Sequence, residues 1–399
     1  MPTTLIQLIS EQTVQNLLPV MRLRPGHVVH LVTPRTEPRE AHVRRAFAAL
    51  GLRPEVDVVG LSDMPDIAES YRGVESVIAA AAGRGDDVVV NFTGGTKLMG
   101  IGAYGAATLH KVASLYVDTD RSRFLPGDQS GALERMLDGD TSFGPLLRQL
   151  RVDILAIANG MQRVTAGQDW RRLLPLAEVL FADRDLERRV HDAVHGTDGF
   201  SPGGREPRKP SAWLKVLDQP IGLPDEVAEI AADLGLLRPG GLLPDHTRQD
   251  LTQLAQTRDG PSSGYFQAVA PLQHALSLLS GAWWELIVAA GLDSQSGMHD
   301  LRWSVQVGDP DGPDQEEDLL AVQGVQLVFV SCKRRAAGQR LVPVMEEIRS
   351  RAATIGGRFN RRILAVYESP HRGLLDNMRA NAARLGIELW FGDDLRRER

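Results

Sequence analysis

The 399-residue chain is longer than one hydrophobic core usually organises, so two or three domains are expected. Its 43% hydrophobic and 24% charged residues are ordinary for a globular protein, and a net charge of −6 does not advertise a nucleic-acid binder. The single cysteine, Cys332, excludes an intramolecular disulfide and a cysteine-based zinc cluster, and no unbroken apolar run approaches the roughly 20 residues that span a bilayer.

The opening MPTTLIQLISEQ has neither the basic start nor the long apolar core of a secretory signal, so a cytoplasmic protein without a membrane partner is expected. Residues 1–120, within a first domain expected over 1–145, then read as alternating elements. Strands are expected at 4–9, 27–33, 56–61, 87–92 and 113–118, with helices at 11–22, 37–51, 66–83 and 97–110 between them. Such alternation implies an α/β fold with a parallel sheet, whose ligands bind at the carboxyl ends of the strands.

The fourth strand runs into NFTGGTKLMG, a glycine-rich turn that opens a helix. Gly94 and Gly95 let backbone N–H groups approach an anion, the helix N-terminus adds partial positive charge, and Thr93, Thr96 and Lys97 add donors. The spacing is neither GxxxxGK[ST] nor GxGxxG. A tight turn with a threonine cap is the plainer reading, but two glycines, two threonines and a lysine within five residues favour an anion site. The loop after the first strand, Ser10-Glu11-Gln12-Thr13-Val14-Gln15-Asn16, offers polar side chains, Ser10, Gln12 and Asn16 foremost, to the same sheet edge, to read a base or ribose or simply to cap a helix. Thr33-Pro34-Arg35, after the second strand, is a weaker candidate.

Residues 146–265 turn helical and irregular. Loops are expected at 200–211 and 257–264, and 220–250 reads either as a small winged-helix-like module or as a linker. From 266 to 399 the pattern sharpens. Helical sequence at 267–290 is broken near Gly281, and strands are expected at 301–307, 319–322, 326–332, 362–366 and 388–391, with a helix at 342–355. Residues 331–362 hold nine Lys/Arg against two Glu, either a phosphate-backbone surface or a solvated face.

Three charged residues stand out here. Glu285 lies in the helix GAWWELIVAAGL, Asp318 ends the run Glu316-Glu317-Asp318 before a strand, and Lys333 ends the strand LVFVSCK. A hairpin at 323–325 would bring Asp318 and Lys333 to one end of the sheet. Carboxylates that hold Mg²⁺ or Mn²⁺ beside a lysine suit phosphodiester hydrolysis. Trp283 and Trp284 read as core.

The turn Thr93-Gly94-Gly95-Thr96-Lys97 with Met99 resembles the signature of CARF domains, the CRISPR-associated Rossmann-like sensors. GAWWE, followed by EED, fourteen residues and Lys333 in SCK, resembles the restriction-endonuclease-like PD-(D/E)xK nuclease of one CARF subfamily. The resemblance covers roughly 1–145 and 266–399. It implies a Rossmann-like CARF domain, a helical connecting region and a C-terminal restriction-endonuclease-like α/β domain. It also implies a homodimer that binds cyclic tetra-adenylate and, with Mn²⁺ or Mg²⁺, cuts single-stranded RNA or DNA in type III CRISPR defence. Asp318 and Lys333 take the motif positions, Glu285 is the helix glutamate, and Glu316 matches the acid two residues before the aspartate. Ser331 stands where the general motif has an acid, which leaves the metal to Glu285, Asp318 and the Cys332 carbonyl. Two other readings stay open: a ligand-responsive DNA-binding regulator with an inactive C-terminal domain, and a sensor that degrades its own cyclic ligand.

Overall fold

The computed structural model describes residues 2–128, 131–196, 209–257, 263–308, 314–335 and 341–397. Six strands form the first sheet: β1 (Thr3–Leu8), β2 (His27–Val32), β3 (Glu55–Gly60), β4 (Asp87–Asn91), β5 (Ala113–Asp118) and β6 (Arg123–Pro126). Their spatial order is β3-β2-β1-β4-β5-β6, parallel except for β6, which runs back along β5. The near-continuous apolar runs of β1, β2 and β4 follow from burial on both faces. The chain leaves β1 toward β2 on one side, and β4 lies on its other side. The strand order therefore reverses between β1 and β4, and loops diverge there to leave a crevice.

The second sheet orders β12 (Glu388–Phe391), β11 (Arg361–Glu368), β10 (Gln326–Arg335), β9 (Gln315–Gln323), β8 (Met298–Gly308) and β7 (Arg163–Val164). β10, β11 and β12 are parallel, whereas β7, β8, β9 and β10 pair antiparallel. The hairpin between β9 and β10 turns at Gly324, with φ of 59°, as its Gln-Gly-Val sequence suggests. Two short strands escape the periodicity. β6 has four residues, and β7 contributes two residues from the connecting region to the edge of the second sheet.

One face of the first sheet packs Ile6, Leu31 and Val90 against helices Ile67–Arg84 and Lys97–Leu109. Its other face continues without a break into the second sheet. Leu5, Phe47 and Val89 share one apolar cluster with Ile154, Leu320, Phe329 and Met345, and the short helix Val152–Ala158 lies within that cluster. The far face of the second sheet is covered by helices of the connecting region together with Trp283–Asp293. Residues 220–250, expected as a winged-helix-like module or a linker, contain helix Asp225–Asp233, the start of helix Arg248–Thr257 and, between them, an isolated antiparallel bridge of Arg238 with Leu242 that turns at Pro239-Gly240-Gly241. Val227, Ala231, Leu236 and Leu237 are buried in the core.

Several expectations need correction. The stretch Gly264–Asp293 is long and apolar enough by composition to cross a membrane, which inspection of unbroken runs overlooks. It is interrupted by a π-helical turn, Leu278–Ala282, in which Gly281 leaves helical geometry, and the Trp283–Asp293 segment is buried against the sheet. Residues 257 and 263–264, expected in a loop, belong to helices Arg248–Thr257 and Ser263–Ser277. Residues 258–262, and most of the loop expected at 200–211, lie outside the described residues.

Candidate functional site

At the reversal of the first sheet, the loops after β1, β2, β3 and β4 enclose a cavity of about 830 Å³. Ser10, Gln12, Thr33, Thr93, Gly95, Thr96, Lys97 and Met99 line it. Thr96 caps the helix Lys97–Leu109, its hydroxyl accepting from the Met99 N–H at 3.3 Å, while the Met99 sulfur accepts from the Thr96 N–H. This leaves Gly95, Thr96 and Lys97 exposed at a helix N-terminus. Thr93 is engaged from two sides. Its hydroxyl donates to Asn91 Oδ1 at 2.7 Å and accepts from the Val117 N–H at 2.7 Å, which fixes the turn between β4 and β5.

Two expected ligand residues do not line the cavity. Asn16 is fully buried, with its amide donating to the Leu8 carbonyl at 2.9 Å and its Oδ1 accepting from the Ser10 N–H at 3.3 Å. It pins the loop after β1. Gly94 is buried where the β4 turn crosses the end of β1, and a Cβ there would sit 2.2 Å from the Leu8 carbonyl oxygen. Both support the site from behind. Glu11, Gln15 and Arg35, from the two loops the sequence offered, also line the cavity, whereas the sequence reading missed Thr36, Met64 and Phe359. Thr36 is close to Thr33, the one hint available; Phe359 is remote in sequence. Glu11 bridges Arg35 at 2.6 Å and Arg358 at 3.2 Å. Burial alone would raise its carboxyl, but Arg35, Arg39 and Arg358 outweigh that and hold it below its ordinary value.

The second site lies at the β9–β10 hairpin ladder. Antiparallel register sets Val330 opposite Leu319, which brings Ser331 and Cys332 beside Asp318. Asp318 Oδ2 accepts from the Cys332 N–H at 2.6 Å and the Ser331 hydroxyl at 3.3 Å, and Lys333 Nζ stands 3.7 Å away. Glu285 reaches the same place from helix Trp283–Asp293, and the Trp303 indole N–H donates to its Oε2 at 2.6 Å. Trp303 follows a bulge in β8, an irregularity of the kind that re-aims side chains near sites. Burial first, and the neighbouring Asp318 charge second, push the Glu285 carboxyl up to about 8. Glu316, on β9, accepts from the Ser304 hydroxyl. Burial, then the charges of Asp318 and Glu285, raise the Cys332 thiol, which disfavours a thiolate nucleophile. Trp283 and Trp284 are core residues, as expected.

A divalent ion can be tested against these donors. Among the described residues no group of three or more His, Cys, Asp or Glu is arranged around one point. Two carboxylates do meet, and their mutual repulsion is what a dication relieves. Mg²⁺ commonly binds through one or two carboxylates with water completing its shell. The donor set fits such an ion.

Glu317, given no role of its own in the acidic run, points away from this site. It is buried and bonded to Arg351 of helix Leu341–Gly356, with Nε to Oε1 at 3.1 Å, and burial raises its carboxyl to about 7 despite that partner. The basic stretch is not a free cationic surface. Arg334, Arg335, Arg351, Arg358 and Arg361 each face a carboxylate, and Arg340 lies outside the described residues.

Residues 4–135 match the family described as the Card1 CARF domain. No curated protein matches the chain. Among solved structures, Can2 from Sulfobacillus thermosulfidooxidans, in complex with cyclic tetra-adenylate, is similar over 97% of this chain and 95% of its own, at 16% identity and a TM-score of 0.64. Protein VC1899 from Vibrio cholerae is similar over 98% of this chain and 95% of its own, at 14% identity and a TM-score of 0.65. Both likenesses run nearly end to end, so the shared fold is the joined pair of sheets and not the Rossmann-like sheet alone.

Proposed function

We propose that the chain is a nuclease of type III CRISPR defence, switched on by cyclic tetra-adenylate bound at the first sheet and dependent on a divalent metal at the second. The observation that carries this reading is the meeting of Glu285, Asp318 and Lys333 at the β9–β10 ladder, three residues drawn from separate segments. Glu285 and Asp318, with the Cys332 carbonyl, would hold Mg²⁺ or Mn²⁺. Such an ion supplies charge neutralisation at a scissile phosphate and a more acidic water. Lys333 is half-exposed and offers its ammonium to a phosphate oxygen. The Cys332 N–H and the Ser331 hydroxyl orient the Asp318 carboxylate. Glu316, held by Ser304, adds negative charge at the edge. Single-stranded RNA and DNA are the substrates proposed.

The activator class follows from the pocket. It offers hydroxyls, a helix N-terminus and Lys97 to phosphates, with volume for a nucleotide. The reading is supported by the match to the Card1 CARF domain, and Can2, whose fold is shared, was solved with cyclic tetra-adenylate. A homodimer belongs to the proposal. Leu98, Ile101, Tyr104 and Leu109 are exposed along one side of helix Lys97–Leu109, and Leu98 and Met64 also line the pocket. An apolar face of this kind suits a second copy, which would set two pockets side by side for a symmetric ring. The deciding experiment measures cleavage of labelled single-stranded RNA and DNA, with and without cyclic tetra-adenylate, in Mn²⁺ and in Mg²⁺. Ligand- and metal-dependent cutting is expected; no cutting of either substrate under any of these conditions would overturn the reading.

A further inference from the structure

The ligand pocket is not closed by the first sheet's loops alone. Phe359, more than 200 residues beyond that domain, lines it and is half-exposed toward it. Its neighbour Arg358 pairs with Glu11 at 3.2 Å on the pocket's other wall. Both belong to the short connection between helix Leu341–Gly356 and β11. That connection is fixed at each end. Asn360 donates to the Ala352 carbonyl at 2.9 Å, and Arg361 starts a strand paired in register with Val328 of β10. Gly357, at φ of 72°, lies so close to Asn159 that a Cβ would stand 2.5 Å from its amide oxygen. A second, small cavity between Gln12, Val325 and Gly356 marks the seam where the loop after β1 rests on the second half.

Glu11 is a poor neighbour for a polyanion. Its carboxylate holds Arg35, which lines the pocket, and Arg358, which lines the small adjoining cavity and meets the pocket wall through Glu11. Phe359 beside them is half-exposed, with no ring stacked on it among the described residues, and its face suits a nucleobase, because every base has a stackable face.

We propose that Arg358 and Phe359 are ligand-binding residues lent to the pocket by the second half of the chain, Phe359 stacking on a base and Arg358 exchanging Glu11 for a phosphate. This rests on the nucleotide reading of the pocket given above. Its consequence is mechanical. The lent segment is the direct continuation of helix Leu341–Gly356, and that helix carries Arg351, the partner of Glu317, which adjoins Asp318. Ligand that grips Phe359 and Arg358 therefore pulls on an element already bonded to the strand of the second site.

The test titrates full-length protein with cyclic tetra-adenylate by calorimetry and follows cleavage as a function of activator concentration. Phe359→Ala is expected to weaken binding by about ten- to a hundredfold, and Phe359→Tyr to restore it. Arg358→Ala should weaken binding by at least roughly tenfold. Glu11→Gln, which releases both arginines, should tighten it. Each variant's half-maximal activator concentration should shift by the same factor as its affinity. Lys97→Ala serves as the control on the first sheet's own wall. If wild type binds and Lys97→Ala loses affinity while Phe359→Ala and Arg358→Ala bind and respond like wild type, the bipartite pocket is refuted and the nucleotide reading stands. If wild type does not bind cyclic tetra-adenylate, the nucleotide reading falls and this proposal with it. Melting curves identify any variant that fails to fold, and the Phe359→Tyr and Glu11→Gln arms then decide.

Discussion

The two candidate sites are built in opposite ways. The pocket on the first sheet is assembled from loop ends, is open to water, and presents exposed donors whose positions are fixed by buried residues such as Asn16 and Gly94. The site on the second sheet is assembled from adjacent strands and a helix, and it sets Glu285 where burial and the Asp318 charge push its carboxyl toward protonation. The first can admit a large anion with little rearrangement. The second sets two carboxyls together with one ammonium beside them, a balance that a further cation or a proton improves. The recognition and reaction proposed for them ask different things of the backbone: an open entry built from loop ends for one, fixed strand register for the other.

The largest expected effect tests that division. Asp318→Ala should abolish cleavage, lowering the rate at least ~10³-fold, since losing several kcal/mol of barrier stabilisation costs a factor of ten per ~1.4 kcal/mol. Ligand affinity measured by calorimetry should match wild type. A loss of both functions would mean that the two sites are not separable. On the pocket side, Lys97→Ala should weaken cyclic tetra-adenylate binding by about 1.5–3 kcal/mol while metal binding, read by Mn²⁺ titration, stays unchanged. Gly95→Asp should act in the same direction, because it puts a carboxylate on the anion turn at a φ of 74°. Ile101→Glu should loosen the dimer by roughly tenfold or more, given the ~1.5–3 kcal/mol of burying such a side chain, with light scattering as the readout.

The smallest effect concerns pH. A carboxyl whose folded value is raised binds more protons in the folded than in the unfolded state between the two values. Stability therefore falls as pH rises from the ordinary 4.5 of a glutamate toward about 8 for Glu285. In chelator, Glu285→Gln should melt at a temperature less dependent on pH across that window than wild type, and added Mn²⁺ should flatten the wild-type curve near pH 8. Equal slopes for the two proteins in chelator would show that Glu285 is not held protonated.

Much of the fold was legible because its signals are local. The first five strands are apolar runs, the turn at Gly94-Gly95 is marked by its glycines, and the Gln-Gly-Val hairpin announced the meeting of Asp318 and Lys333. The losses are of two kinds. β6 and β7 are too short for periodicity to register. Glu317, Arg358 and Phe359 act through partners dozens to hundreds of residues away, which no local pattern encodes. Asn16 was misread for a related reason. A polar side chain in a loop looks available until the packing shows its amide serving the Leu8 carbonyl.

The π-helical turn before Trp283 carries a consequence of its own. At Gly281 the path leaves helical geometry and kinks, which redirects everything beyond it, and each residue gained or lost in the helix that follows turns its side chains by about 100°. With the turn at Leu278–Ala282 in place, Trp283 and Trp284 enter the core and Glu285 meets Trp303 and Asp318. A single-codon deletion there would swing the glutamate away from the strand ends without altering one charged residue. Across a lineage, such an indel could silence the second site while leaving every motif letter intact, so a catalogue of retained letters would overcount the active proteins.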